Sequence, residues 1–204
     1  MFEIPSRQGL PIRGDIDAPR NARALVVIVH GHEADKDWGF YPWLAEQLCD
    51  SGLAVVRFTM STETYSLQVH DLVDVIAYAR SRFRGLPLFL LGHSLGGAVA
   101  LFAATGIEDL RGVITWSAIS RGSDIDLVGS VSLLRVPLLA IHGGSDTHVS
   151  PEESRRIVSG ARDASLVVID GASHTYNAIH PLVYVPRALE YAARVSAQFV
   201  SAYS

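Results

Sequence analysis

The chain has 204 residues, of which 49% are apolar and 19% are charged, with a formal net charge of −4 at pH 7. This composition is typical of a globular domain with a substantial core, and its mild acidity gives no reason to expect nucleic acid or an anionic membrane as a partner. A single cysteine, Cys49, excludes an internal disulfide, and the N-terminus lacks the apolar run of a signal peptide or a membrane span, so we expect a soluble, cytoplasmic protein.

Apolar runs with strand character alternate with helical patterns along the chain. The predicted strands, in chain order, are 2–5, 10–16, 24–30, 54–58, 86–91, 112–116, 138–142 and 166–169. The predicted helices are 40–51, 67–83, 95–105, 151–159 and 186–202. The inner strands are almost continuously hydrophobic, which is typical of a parallel sheet covered on both faces.

This alternation predicts a three-layer α/β fold, with a mostly parallel sheet of about eight strands and helices on both faces. Residues 1–204 are expected to form one domain. Ligands of such sheets bind just beyond the carboxyl ends of the strands. Ser94, Asp146 and His174 follow three of these strand ends, in that chain order.

The segment LPLFLLGHSLGG places Ser94 between Gly92 and Gly96, after an apolar strand and before the helix-forming AVALFAAT. This pattern predicts a nucleophile elbow, a tight turn that holds the serine in a strained conformation with its hydroxyl above the sheet. Glycines flank the serine because a Cβ there would collide with neighbouring backbone. The alternative is a glycine-rich turn with a helix-capping serine.

A serine hydroxyl is a poor nucleophile at neutral pH and needs a base. His174, in the loop VVIDGASHTYN after the last strand, is the predicted base. The other histidines are interpreted as structural, supporting or surface residues: His30, His32, His70, His93, His142, His148 and His180.

Asp146, in LLAIHGGSDTHVSP, is predicted to accept the Nδ1–H of that imidazole, which fixes its tautomer and stabilises the imidazolium. Its structural alternative is a turn or helix-capping carboxylate before Pro151. The competing carboxylates are Asp124, Asp126 and Asp170.

An oxyanion hole is expected from the backbone N–H groups of Leu95 and His32, with Glu33 as the alternative to His32. The sequence has neither the glycine fingerprint of a dinucleotide site nor a P-loop, and its histidines lack zinc-site spacing. We therefore expect no metal and no cofactor.

Over nearly its whole length the chain resembles the α/β-hydrolase superfamily. HGHEADKDWGFYPWLAEQL, GLAVVRFTMS, FLLGHSLGG, VPLLAIHGGSDTHVSP and GASHTYN are similar to segments of small bacterial esterases related to dienelactone hydrolases and prolyl-oligopeptidase catalytic domains. The resemblance implies Ser94, Asp146 and His174 as a catalytic triad. It departs at 59–63, where relatives often have a glycine-containing turn, and at Ser94, where a dienelactone hydrolase proper has cysteine.

The connection at about 117–136 is also short. Relatives often carry a helical cap there, whereas about twenty residues are too few for a multi-helix lid. We therefore expect a reduced cap and an open, shallow cleft.

These observations predict a serine hydrolase, specifically a carboxylesterase that cleaves small soluble acyl esters through an acyl-enzyme. A peptidase or amidase on the same fold is one alternative, because a fold does not fix its chemistry. A non-catalytic ligand-binding protein with a hydrolase-like pocket is the other. The expected partner is a small-molecule ester, without nucleic acid or membrane. The oligomeric state stays open, with a homodimer as one option.

Overall fold

The computed structural model describes residues 1–122 and 125–204. The strands in these residues are β1 (Phe2–Pro5), β2 (Pro11–Asp17), β3 (Leu25–Val29), β4 (Ala54–Thr59), β5 (Leu88–His93), β6 (Leu110–Trp116), β7 (Arg121–Gly122), β8 (Ile125–Asp126), β9 (Leu138–Gly143) and β10 (Ala164–Ile169). The helices are α1 (Tyr41–Asp50), α2 (Tyr65–Arg82), α3 (Leu95–Ala104), α4 (Leu127–Val131), α5 (Pro151–Gly160) and α6 (Arg187–Tyr203).

Eight strands form one sheet in the order β1-β2-β4-β3-β5-β6-β9-β10. Strands β4, β3, β5, β6, β9 and β10 run parallel, while β2 pairs antiparallel with both β1 and β4. The predicted fold class is confirmed. The bounds of the predicted elements lie within two residues of those observed, because hydrophobic periodicity is strongest in long, buried elements.

The sequence patterns did not predict the elements inside the 117–136 connection. This connection holds the antiparallel pair β7–β8 and the five-residue helix α4, which buries Leu127 and Val131 against the core. Elements of two to five residues carry too little periodicity to be recognised in a sequence. The division into a single domain stays a prediction. No helix in the described residues is long and apolar enough to cross a membrane.

The sheet separates two hydrophobic cores, and strand β3 contributes to both. Alternate residues Leu25, Val27 and Val29 pack into the core that includes α2, α3 and Ile157 of α5, whereas Val26 and Ile28 pack into the core that includes α1 and α6. All five β3 side chains are buried. Helices on both faces therefore explain the unbroken apolar runs of the inner strands.

Helix α3 approaches β3 so closely that glycine is required at the contact. A Cβ at Gly96 would collide with the carbonyl oxygens of Val29 and His30, and a Cβ at Gly92 would collide with the carbonyl oxygen of Gly96. These are backbone atoms, which cannot rotate away as a side chain can. The N-terminus of α3 is therefore fixed directly above the carboxyl end of β5.

This contact predicts a large loss of stability for Gly96→Ala. Overpacking a close-packed interior costs about 1–3 kcal/mol, and a clash with backbone belongs at the upper end of that range. Gly129→Ala in α4 is the control, because a Cβ there has no neighbour within 4 Å. Urea unfolding should show a lower midpoint for Gly96→Ala and an unchanged or slightly higher one for Gly129→Ala. Equal midpoints for the two variants would contradict this account of the contact.

Candidate active site

Ser94 lies at the turn between β5 and α3 and has the strained backbone that the sequence predicts. Its φ is 54° and its ψ is −120°, a conformation that a residue with a Cβ adopts only under constraint. The amide of Ser94 donates to the carbonyl of Trp116 at 2.8 Å, and its carbonyl accepts from Gly97 at 3.0 Å. These bonds hold the turn in place against its strain.

Ser94 and His174 line the same cleft, whose volume is about 500 Å³. Its lining combines apolar and aromatic side chains with several histidines. Its lining comprises Gly31, His32, Glu33, Ala34, Trp38, Tyr41, His93, Ser94, His148, Val149, His174 and Thr175. Two of the predicted catalytic side chains, together with His32, therefore border one cleft at the carboxyl edge of the sheet.

Asp146 lies behind His174 and is hydrogen-bonded to it. Oδ2 of Asp146 is 2.7 Å from Nδ1 of His174, while Oδ1 accepts the amides of His148 and Val149, each at 2.9 Å. Burial of the carboxylate would raise its pKa. Hydrogen bonds from His142, His174 and Val149 outweigh that effect and hold the pKa of Asp146 well below its usual range. The carboxylate is therefore ionised and can orient the imidazole.

The competing carboxylates differ from Asp146 in their surroundings. Asp170 follows β10 and is exposed to solvent. Asp124 lies outside the described residues, and the side chain of Asp126 is likewise not described. Among the candidate carboxylates whose side chains are described, Asp146 is the one hydrogen-bonded to His174.

A buried hydrogen-bond chain links the loop after β3 to the loop that carries His174. The amide of Gly31 donates to Oη of Tyr41 at 2.9 Å, and Oη lies 3.0 Å from Nδ1 of His93. Nε2 of His93 lies 3.0 Å from the carbonyl oxygen of His174. A carbonyl only accepts, so Nε2 of His93 carries the proton and Nδ1 accepts from Tyr41.

The backbone after β3 borders the serine at the predicted oxyanion position. A Cβ built on Gly31 would lie 3.3 Å from Cβ of Ser94, so this loop is adjacent to the turn. Because the Gly31 amide is bonded to Tyr41, the next amide, that of His32, is the candidate donor. The alternative, Glu33, has a left-handed φ of 51°. The side chain of His32 is exposed and lies 3.5 Å from a carboxylate oxygen of Glu63.

The sequence did not predict the contacts that His148, His142 and Ser154 make around His174 and Asp146, although His142 was expected to be a structural or supporting residue. The ring of His148 stacks on that of His174, with centroids 5.4 Å apart and an interplanar angle of 24°. Nε2 of His142 lies 3.3 Å from Oδ2 of Asp146, and Nδ1 lies 2.6 Å from Oγ of Ser154. Both histidines lie within four residues of Asp146 in the sequence, and Ser154 lies on the helix that follows. These positions were the only indication of the contacts that the sequence offered.

The hydrogen-bond chain through Tyr41 predicts a double effect for Tyr41→Phe. The substitution leaves the Gly31 amide and Nδ1 of His93 buried without their partner, which should lower the free energy of unfolding by about 1–3 kcal/mol. Any turnover at the cleft should fall by about tenfold, because a misplaced site loses rate steeply. Tyr65→Phe is the control, since among the described residues its hydroxyl bonds to a single group, the carbonyl of Ala98. Equal effects of the two substitutions on turnover would contradict the linking role.

The buried His93 predicts a loss of stability on the acid side of neutrality. Burial lowers the pKa of His93 from 6.5 to about 3, and burial also lowers the pKa of His30. The unfolded chain therefore takes up protons near pH 6.5 that the folded protein does not, so stability present above that pH is lost as the pH falls. For His93 alone, the free energy of unfolding falls by up to about 1.4 kcal/mol for each unit that the pH drops below 6.5.

Urea unfolding at pH 7 and pH 5 measures this effect. The decline in the free energy of unfolding should be shallower in His93→Gln, which cannot take up that proton in the unfolded state. An identical decline in the parent protein and in His93→Gln would show that His93 does not contribute to it.

The chain is similar in sequence and in fold to known proteins. The family model described as "Serine aminopeptidase, S33" matches residues 20–126, a little over half of the chain. A putative phosphoribosyl transferase of Mycobacterium tuberculosis is 29% identical over 180 residues, which cover 82% of this chain and 40% of that protein. Monoglyceride lipase of Homo sapiens is 31% identical over 93 residues, which cover 40% of this chain and 30% of that protein.

The chain thus spans at most 40% of the length of these two curated relatives. Its fold is similar to that of Est1E from Butyrivibrio proteoclasticus, with a TM-score of 0.86, 19% identity and coverage of 99% of this chain and 98% of that one. The predicted resemblance to the α/β-hydrolases is therefore confirmed. With more than half of its residues matched by the family model, the chain belongs to the α/β-hydrolase family described as serine aminopeptidase, S33.

Proposed function

We propose that this protein is a serine hydrolase, and specifically a carboxylesterase that cleaves small soluble acyl esters through an acyl-enzyme. One observation carries the proposal: a strained Ser94 shares a cleft with His174, whose Nδ1 is bonded to the buried carboxylate of Asp146. The family membership and the similarity to a monoglyceride lipase support hydrolytic chemistry.

In this mechanism Oγ of Ser94 attacks the ester carbonyl while Nε2 of His174 takes its proton. Asp146 keeps the imidazole in the tautomer with Nδ1 protonated and stabilises the imidazolium that forms. The backbone N–H groups of Leu95 and His32 stabilise the negative oxygen of the tetrahedral intermediate. His174 then protonates the departing alcohol, and water repeats the cycle on the acyl-enzyme.

An aminopeptidase is the second candidate, because the matched family model carries that description. Such an enzyme needs carboxylates that bind the free amino group of its substrate. Glu33 lines the cleft, and a carboxylate oxygen of Glu63 lies 3.5 Å from Nδ1 of His32, another lining residue. Amino-acid p-nitroanilides assayed beside p-nitrophenyl esters distinguish the two activities. Faster turnover of the anilides would replace the esterase proposal by the peptidase one.

The triad predicts large and unequal losses on substitution. Ser94→Ala and His174→Ala should each lower kcat on p-nitrophenyl acetate by about 10⁴–10⁶, because neither acts without the other. Asp146→Asn should cost about 10³–10⁴ through loss of tautomer control. Asp170→Asn, a nearby exposed aspartate, is the matched control and should cost little. A Ser94→Ala variant with a tenth of the parent activity, or a larger loss at Asp170 than at Asp146, would overturn these assignments.

The short connection between β6 and β9 predicts a preference for short acyl chains. In its described residues it supplies the pair β7–β8 and the short helix α4, and no multi-helix cap. An acyl CH₂ that remains in solvent gains little of the roughly 0.8 kcal/mol that full burial provides. We therefore expect kcat/KM to peak at about C2 to C6, with no activation at an oil–water interface.

Steady-state rates on C2, C4, C8 and C12 esters, with the oligomer size measured in parallel, test this preference. A second subunit that covers the cleft would give long acyl chains a buried site. A maximum at C8 or longer in a monomer would therefore refute the open cleft.

A further inference from the structure

A second histidine, which does not line the cleft, contacts the carboxylate of Asp146. His142 lies in β9, four residues before Asp146, and its side chain is fully buried. Its Nε2 is 3.3 Å from Oδ2 of Asp146, the oxygen that also receives His174. The proposed mechanism uses His174 and leaves His142 without a role.

The contacts of His142 fix where its protons lie. Nε2 lies 2.9 Å from the carbonyl oxygen of Val149 as well as 3.3 Å from the Asp146 carboxylate. Both neighbours are acceptors, so Nε2 carries a proton that they share. Nδ1 is 2.6 Å from Oγ of Ser154, a fully buried residue of α5. Ser154 therefore fixes the rotation of the ring from the opposite side.

These contacts complete the set of polar groups around the Asp146 carboxylate. Oδ1 accepts two backbone amides and Oδ2 accepts from His174, while Nε2 of His142 lies 3.3 Å from Oδ2. With three hydrogen bonds to it and the His142 ring lying against Oδ2, the carboxylate cannot rotate without leaving a buried charged oxygen short of a partner, which is costly.

We propose that Ser154 and His142 form a positioning pair, which holds Asp146 in the orientation that directs Oδ2 at Nδ1 of His174. The pair acts through Asp146 and touches neither substrate nor Ser94. This inference rests on the proposed function, because it assigns the pair to the same triad.

His30 shows that burial at a strand end does not by itself create such a contact. Like His142, it is a buried histidine at the carboxyl end of an inner strand and precedes a glycine. Its ring nitrogens bond to the carbonyl of Gly31 and the amide of Met60, both backbone groups. Of these two histidines, His142 is the one that lies beside a carboxylate side chain.

Substitutions of the pair test the proposal through kcat and KM measured separately. His142→Leu keeps the approximate volume but removes both ring nitrogens, so kcat should fall by about 10–100-fold, the value of one hydrogen bond to a charged group. KM should stay within about twofold, since the substrate does not contact the pair. His142→Gln restores a side-chain N–H and should recover most of the loss. Ser154→Ala should lower kcat by a smaller factor.

Ser196→Ala is the matched control for Ser154→Ala. Ser196 is also a fully buried helical serine whose Oγ contacts a ring nitrogen, Nε1 of Trp116 at 3.0 Å. It lies on α6 and touches neither Asp146 nor His142. Its substitution should lower stability about as much as Ser154→Ala while leaving kcat unchanged.

A spectroscopic readout separates this proposal from the proposed function. The Nδ1–H proton of His174, shared with Asp146, should give a low-field NMR resonance in the parent and in His142→Gln, and a shifted or broadened one in His142→Leu and Ser154→Ala. This holds even if p-nitrophenyl esters are not substrates. Unchanged kcat and resonance in folded His142→Leu would overturn the pair. If that variant does not fold, Ser154→Ala decides by the same criterion, and an equal loss of kcat in Ser196→Ala would also overturn it.

Discussion

The arrangement of the site depends on the close approach of helix α3 to the sheet. Gly92 and Gly96 let backbone meet backbone where any Cβ would clash, and this contact places Ser94 at a left-handed φ above the end of β5. The strain of that residue is balanced by the packing of α3 and by two hydrogen bonds of Ser94, one to β6 and one within the turn. The position of the proposed nucleophile is therefore set by backbone packing and not by contacts of the Ser94 side chain.

Buried hydrogen bonds then connect the separate loops to this fixed point. Tyr41 and His93 join the loop after β3 to the loop of His174, while Asp146 joins the latter to the loop after β9. Burial makes each of these polar groups expensive to leave unpaired, so the network tolerates few alternative arrangements. A site assembled from distant segments gains in this way the rigidity that pre-organised catalysis requires.

Sequence patterns were sufficient to predict the elements with strong hydrophobic periodicity and the candidate residues at the strand ends. Periodicity located the long helices and inner strands, and the glycine-flanked Ser94 and the chain order of Asp146 and His174 indicated which loops meet. The partnership of Tyr41 with His93 spans 52 residues of sequence and depends on ring orientation, which no local pattern encodes. The contact of His142 with Asp146 depends likewise on the path of the loop between them, and β7, β8 and α4 are too short to give a periodic signal.

The proposed mechanism requires covalent acylation of Ser94, and mass spectrometry of the intact protein tests that step most directly. Rapid acid quenching during turnover of p-nitrophenyl acetate should trap a species heavier by one acetyl group, and peptide mapping should place that group on Ser94. Asp146→Asn should form the same species more slowly. An acetyl group found reproducibly on another residue, or turnover with no covalent species in either protein, would contradict the account.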